Sequence, residues 1–206
     1  MAKLQTETQL LDWAVGSRAF PGQTSTGDRA LVKAFPKGTL VAVVDALGHG
    51  PEAVPAAERA VALLERYAHE PLPSILQRCH TELIGSRGVV MSLASFKPSD
   101  HTMSWLGVGN VEGVLVSADP RSRPQTTLLL TRGGIVGGDL PKASPWVVPL
   151  SRGDTLLFST DGVRPGFAST VTLAESPQEI ADRVIAGYAK ETDDALVLVV
   201  RYLGDR

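Results

Sequence analysis

Short apolar segments, separated by Gly, Pro and Asp, make up most of the chain. Runs rich in Val, Leu and Ala between such breakers are typical of β-strands. The pattern predicts ten strands, at 10–16, 30–34, 39–44, 89–96, 102–108, 113–117, 126–130, 147–149, 155–159 and 195–202. The strands between 88 and 130 follow one another at intervals of about ten residues, with turn signals between them, which favours antiparallel hairpins.

Three stretches have a helical period instead. Apolar residues that recur every three to four positions predict a helix over about 51–69 and a shorter helix over about 75–84. A third helix is predicted from Ser176-Pro177-Gln178-Glu179, because Ser176 can cap its start, Pro177 suits the first helical position and Glu179 completes a capping box.

The resulting order is β-β-β-α-α, then a run of strands, then α-β. Regular βαβ alternation is missing, so a doubly wound parallel sheet is not expected. Helices in two clusters and mostly antiparallel strands instead predict an α+β layered sandwich. No internal repeat or linker interrupts the chain, and we therefore expect a single domain over 1–206.

Composition narrows the class of protein. The chain has 206 residues, 43% of them hydrophobic, and a net charge of −2 from 20 Lys and Arg against 22 Asp and Glu. This composition excludes intrinsic disorder and gives no broad basic surface, so we expect no nucleic-acid partner. Cys79 is the only cysteine, which excludes an intrachain disulfide and suits the cytoplasm. No signal peptide or membrane span is expected, because every apolar run is short.

Acidic residues recur at the ends of the predicted strands, at Asp28, Asp45, Asp161 and the pair Asp193-Asp194. Such residues often form turns or cap helices. They could also converge at one end of a sheet, where several carboxylates require a cation. Oxygen ligands without Cys favour Mg²⁺ or Mn²⁺. The spacing alone leaves both interpretations open.

The segment from Val43 to Gly50, Val-Val-Asp-Ala-Leu-Gly-His-Gly, resembles the central signature of the metal-dependent Ser/Thr protein phosphatases, the PPM or type 2C family. The nearest match is the bacterial SpoIIE-like branch. Further family motifs occur in the expected order: Gly27-Asp28, Gly107-Val108-Gly109-Asn110, Gly133-Gly134-Ile135-Val136-Gly137, Ser159-Thr160-Asp161-Gly162 and Asp193-Asp194-Ala195-Leu196-Val197. The resemblance spans about 10–202, and the short length most resembles the stressosome phosphatases of that branch.

The resemblance implies a PPM-type α-β-β-α sandwich, with two mostly antiparallel sheets flanked by helices and a site for two Mn²⁺ or Mg²⁺ ions at one edge. Asp45 matches the acid that bridges the two ions, and Ala46 matches a residue, usually Gly, that offers its carbonyl. Asp161 and Asp193 match ligands of the first ion. Asp28 matches an acid that reaches an ion directly or through water, while Asp194 is the less expected ligand.

The resemblance also implies that a bridging water loses a proton and attacks a phosphoserine or phosphothreonine in line. Among the motif residues, His49 could protonate the leaving alkoxide, or it could be a turn histidine that binds backbone groups. Gly109 and Asn110 are interpreted as scaffold of the site, with Asn110 a possible substrate contact. Arg29, like Arg18, could bind phosphate or be an ordinary surface arginine.

The leading hypothesis is therefore a metal-dependent phosphatase that acts on a phosphorylated STAS-domain protein of a bacterial partner-switching or stressosome system. Two other functions stay open. The chain could be a catalytically silent binding module with the same fold, or a metal-dependent phosphodiesterase. The oligomeric state cannot be read from the sequence.

Overall fold

The computed structural model describes residues 10–23, 25–48, 53–122 and 124–204. The strands are β1 Leu11–Arg18, β2 Asp28–Phe35, β3 Gly38–Ala46, β4 Val89–Lys97, β5 Thr102–Val108, β6 Glu112–Val116, β7 Thr126–Leu129, β8 Trp146–Pro149, β9 Thr155–Ser159 and β10 Ala195–Tyr202. The helices are α1 Val54–Arg66, α2 Leu72–Leu83 and α3 Pro177–Tyr188. Every predicted strand and helix is confirmed, and the structure adds two short 3₁₀ helices, Pro98–Asp100 and Phe167–Thr170.

The ten strands form two five-stranded sheets. One sheet has the order β1-β10-β9-β6-β7, and the other has the order β2-β3-β4-β5-β8. All neighbouring strands within the sheets pair antiparallel. Strands β1 and β10 pair over their whole length, so strands from opposite ends of the described sequence lie side by side in this sheet.

Side-chain alternation along the central strands builds three apolar layers. In β3, Val41 and Val43 point into the layer between the sheets, while Ala42 and Val44 point into the layer beneath α1 and α2. In β10, Leu196 and Leu198 fill the layer between the sheets, and its alternate residues pack with α3 in the third layer. These strands are therefore apolar on both faces, and the predicted α-β-β-α sandwich is confirmed.

The helix ends differ from the prediction in part. Helix α1 occupies 54–66 rather than 51–69, with Ala53 at its N-cap and the Tyr67 N–H bonded to the Leu63 carbonyl at its end. Pro51 lies outside the described residues. None of the helices in the described ranges has the length and apolar character needed to cross a bilayer.

The capping box of α3 is confirmed. The Ser176 Oγ accepts from the Glu179 N–H at 3.3 Å, and the Glu179 carboxylate accepts from the Ser176 N–H at 2.8 Å. Two backbone donors at the helix start are thereby satisfied, and the carboxylate lies at the positive end of the helix dipole. The same contacts hold the pKa of Glu179 below its usual value.

We expect Ser176→Ala to destabilise the protein by about 1 kcal/mol, since one N-cap hydrogen bond is lost. For a chain of this length, that corresponds to a fall of roughly 2–4 °C in Tm. Thermal unfolding followed by circular dichroism measures it. Ser74→Ala is the matched control, because Ser74 is exposed on α2, and its Tm should not fall. Equal falls in Tm for the two variants would contradict the assignment of Ser176 as the N-cap of α3.

Candidate metal centre

Two acidic residues oppose each other at one end of the sheet that contains β2 and β3. Asp28 begins β2 and pairs directly with Asp45 near the end of β3. Asp45 has the same parity as Val41 and Val43, which face the other sheet. The two carboxylates therefore lie on the inner face of the sheet, at the end of the layer between the sheets.

The opposite sheet contributes two further acids to this end of the sandwich. Asp161 lies two residues after β9 ends, and Asp193 lies two residues before β10 begins. Because β9 and β10 are antiparallel neighbours, the end of one strand lies beside the start of the other. All four acids line one open cavity of about 500 Å³, whose other lining residues are Leu47, Gly48, Val90, Gly109, Asn110, Gly133, Gly134 and Asp194.

Thr160 connects the two sheets at the buried end of the cavity. Its hydroxyl donates to the Asp28 carboxylate at 2.7 Å, and it accepts from the Leu196 N–H at 2.9 Å. At the exposed end, the Asn110 Nδ2 donates to the Asp161 carboxylate at 2.8 Å. Asp28 is buried and Asp161 is exposed, so the acids range from the core to the surface.

Asp194 lines the same cavity, but backbone groups hold its carboxylate. One oxygen accepts from the Phe20 N–H at 2.8 Å, and the other accepts from the Gly27 N–H at 3.0 Å. This buried carboxylate thus ties the segment between β1 and β2 to the start of β10 and places Asp28 next to the cavity. The contacts indicate a structural role for Asp194.

The acids share an environment that disfavours negative charge. Burial, followed by the charges of Asp194, Asp161 and Asp193, raises the pKa of Asp28 to about 7, against the opposing hydrogen bond from Thr160. Burial and then Asp28 raise the pKa of Asp45 to about 8. Burial and the Asp161 charge also raise the pKa of Asp193. A nearby positive charge would stabilise all of these carboxylates.

Two glycines in the motifs allow the close approaches that shape the cavity. A Cβ on Gly162 would lie 1.7 Å from the Asp194 carbonyl oxygen, so only glycine lets these backbones touch. Gly109 has a φ of +92°, and a Cβ there would lie 2.1 Å from the Val90 side chain. Gly109 thus shapes the cavity through its backbone, which is a scaffold role.

The remaining predicted site residues fall in different places. Ala46 ends β3 with an ordinary backbone, since His101 is the one non-glycine residue with a positive φ in the part of the chain that the structure describes. Arg29 does not line the cavity; its guanidinium donates to the Thr26 and Asp28 carbonyls and lies 3.6 Å from Glu58. His49 lies outside the described residues.

The donor set suits a hard cation, because the cavity offers carboxylate and carbonyl oxygens and no sulfur. Among residues 10–23, 25–48, 53–122 and 124–204, no three acidic, histidine or cysteine side chains already stand as a ready-formed metal-binding group. Asp161 and Asp28 instead accept hydrogen bonds from Asn110 and Thr160. The cavity therefore offers the oxygen ligands that a hard cation needs, and two of its carboxylates accept hydrogen bonds from neutral side chains.

Two residues that the sequence analysis does not assign to the site support it. The Thr160 hydroxyl joins both sheets, and its signal is its place directly before Asp161 at a strand end. The Lys190 ammonium donates to the Asp161 carbonyl at 2.5 Å across 29 residues of sequence. No local sequence pattern predicts a contact with a backbone oxygen so far away in the chain.

Comparison with known proteins finds one matching family model and a similar bacterial phosphatase. The family model described as stage II sporulation protein E (SpoIIE) matches residues 36–203. The phosphoserine phosphatase RsbX of Bacillus subtilis (strain 168) is 27% identical over 174 residues, which cover 84% of this chain and 85% of that protein. The predicted resemblance is thereby confirmed.

Solved structures are also similar to this chain. A structure from work on the bacterial stressosome as a modular system adapted to control secondary messenger signalling is 31% identical, with a TM-score of 0.84, and covers 94% of this chain and all of its own. The crystal structure of RsbX in complex with magnesium has 24% identity and a TM-score of 0.82, with coverage of 95% and 97%. The similarity to the RsbX structure confirms the fold.

The raised pKa values predict how stability without metal depends on pH. Folded Asp28 and Asp45 keep protons up to about pH 7 and 8, whereas unfolded aspartates release theirs near pH 4. The folded state thus binds more protons between these values, and stability falls as the pH rises through this window. Thermal unfolding in EDTA from pH 5 to 8 measures the slope.

Asp45→Asn should flatten this slope and raise Tm at pH 8 by about 4 °C or more, because one buried charge is removed. Asp100→Asn is the control, since Asp100 is exposed in the turn after β4, at the opposite end of the sheet. Parallel profiles for wild type and Asp45→Asn would contradict the charge repulsion between the acids.

Proposed function

The chain belongs to the stage II sporulation protein E (SpoIIE) family and is a serine/threonine protein phosphatase, and from this premise we propose that it dephosphorylates a regulatory protein with the help of two divalent cations. The observation that carries the proposal is the pairing of Asp28 with Asp45 across β2 and β3, in one cavity with Asp161 and Asp193. Four acids from two sheets converge where the family motifs predict metal ligands.

The residues that would hold Mn²⁺ or Mg²⁺ are the oxygen donors of this cavity. Asp45 would be shared by both ions, Asp161 and Asp193 would bind the first, and Asp28 would bind directly or through water, with the Ala46 carbonyl as a further ligand. When bound, the ions supply positive charge that promotes loss of a proton from water and offsets charge on the phosphoryl oxygens. The raised pKa values of the acids support this proposal, because a dication relieves their repulsion.

The chain's own residues orient the reacting groups. Asn110 fixes one oxygen of Asp161, and Thr160 fixes one oxygen of Asp28, so each carboxylate keeps a second oxygen for another partner. Gly48, Gly133 and Gly134 line the cavity with backbone rather than side chains, which leaves room for a phosphorylated residue. His49 remains the proposed general acid for the leaving alkoxide.

The proposed substrate is a cytoplasmic STAS-type regulatory domain that carries phosphoserine or phosphothreonine. One similar protein is named a phosphoserine phosphatase, and one similar structure comes from work on the stressosome. The cavity is open, and exposed Asp161 and Asn110 stand at its rim. A folded protein surface can approach such a site without a deep peptide groove.

The first test is hydrolysis of p-nitrophenyl phosphate. We expect activity with Mn²⁺, loss of activity in EDTA, and a fall in kcat of at least about 100-fold in Asp45→Asn, since the shared carboxylate is removed. Asp100→Asn, which changes an exposed acid in a distant turn, should retain wild-type activity.

Each alternative has its own outcome in this assay. Activity unaffected by EDTA would contradict the metal mechanism. No hydrolysis under any condition would favour a catalytically silent binding module. Preference for bis-p-nitrophenyl phosphate over the monoester would favour a phosphodiesterase.

The second test compares substrates that carry the same phosphoserine. We expect kcat/KM for an intact phosphorylated STAS domain to exceed that for a short phosphopeptide by at least about tenfold, because contacts away from the phosphate add binding energy in the transition state. Release of inorganic phosphate measures both rates. Equal values would contradict recognition of a folded surface.

A further inference from the structure

Lys190 lies between helix α3 and the acidic pair that precedes β10, in the segment that runs beside the turn after β9. We propose that Lys190 is a positioning residue that holds Asp161 and Asp193 in their relative places at the rim of the cavity, so that both can serve one cation. This proposal rests on the proposed function, since it concerns residues taken to be metal ligands. None of the family motifs includes this lysine.

The first argument is the set of contacts that Lys190 makes with the Asp161 turn. Its ammonium donates to the Asp161 carbonyl at 2.5 Å, and its backbone N–H donates to the Gly162 carbonyl at 2.8 Å. Two consecutive carbonyls of the turn are thus bound by one residue. The ammonium contributes a charge-assisted hydrogen bond, which is stronger than a neutral one.

The second argument is that Lys190 is itself held in place. The Arg18 guanidinium, from β1, donates to the Lys190 carbonyl at 2.6 Å. On the other side of the turn, Gly162 lies against the Asp194 backbone, at a separation that no Cβ would permit. The turn is therefore fixed between Lys190 and Asp194, and these residues flank Asp193 in the chain.

The third argument concerns the place of Lys190 in the chain. Asp161 is exposed, and its carboxylate accepts a hydrogen bond from Asn110. Lys190 precedes Asp193 by three residues, so the contacts that fix Lys190 also restrict where Asp193 can lie. Lys190 thus acts on Asp161 through its main-chain carbonyl and on Asp193 through the short segment that joins them.

A purely electrostatic role makes the opposite prediction from a positioning role. A lysine that served only as a countercharge would repel divalent cations, and its removal would strengthen their binding. A lysine that fixes the Asp161 turn aligns the two acids, and its removal would weaken binding. The sign of the change in metal affinity therefore decides between the two roles.

The experiment measures Mn²⁺ binding to the purified chain by electron paramagnetic resonance, in which bound Mn²⁺ loses the signal of the free ion. Lys190→Met removes the donor and keeps an apolar stem, while Lys190→Arg keeps a charged donor. Lys33→Met is the control, because it removes an exposed lysine that pairs with Glu65 at 2.8 Å between β2 and α1. Lys190→Gln replaces Lys190→Met if the latter does not fold by circular dichroism.

We expect Lys190→Met to weaken Mn²⁺ binding by roughly tenfold, as befits the loss of one charge-assisted hydrogen bond, and Lys190→Arg to restore most of it. The kcat of Lys190→Met on p-nitrophenyl phosphate should recover at saturating Mn²⁺, which a general loss of structure would not allow. Lys33→Met should bind like the wild type.

Equal or tighter binding by Lys190→Met would overturn the positioning role while the proposed function stood, provided that the wild type binds Mn²⁺. An arginine variant that binds no better than the methionine variant would overturn it as well. If the wild type itself binds no Mn²⁺, the proposed function and this inference both fail.

Discussion

Asp28 and Asp45 stand directly opposite each other on the inner face of a sheet, and this like-charged pair constrains the structure around it. Opposed residues of an antiparallel pair have Cβ atoms about 5 Å apart, so two negative charges there repel strongly when they are shielded from water. This contact belongs to a continuous register of eight pairs between β2 and β3, from Asp28–Asp45 to Phe35–Gly38, so the acids could separate only if the other seven pairs shifted as well. The register of the two strands thus enforces the contact between the acids.

The surrounding groups offset part of this repulsion. Thr160 gives a hydrogen bond to Asp28, two backbone amides satisfy Asp194, and Asn110 binds Asp161. Each of these donors is neutral, and each also ties one segment of the chain to another. Hydrogen bonds therefore fix the outer acids of the cavity, while no positive charge among the described residues lines it between Asp28 and Asp45. A divalent cation would supply that charge.

Most of the fold could be predicted because its strands carry strong local signals. β3 and β10 are buried on both faces and read as uninterrupted apolar runs, and the Ser176 box fixes the start of α3. Helix α1 was predicted too long, because helical spacing continues past 66 although the helix ends at Tyr67. The acids could be found because each one lies at the end of a strand or within two residues of one.

Other parts of the site depend on contacts that no local pattern encodes. Arg29 has the chemistry to bind phosphate, yet its guanidinium donates to the backbone carbonyls of Thr26 and Asp28. Lys190 is one of several lysines in the sequence, and its contact with Asp161 exists only once α3 has packed on the sheet. Such roles follow from the tertiary arrangement, not from the residue type.

The position of Lys190 also bears on why the acids do not simply pair with a lysine at the centre of the cavity. A fixed ammonium between Asp28 and Asp45 would neutralise them permanently and fill the space that a phosphoryl group needs. At the rim, the same charge binds a main-chain carbonyl and leaves the central carboxylates unneutralised. The fold thus places its own cation where it orders the Asp161 turn, and the charge deficit between the two sheets remains for an exchangeable ion to fill.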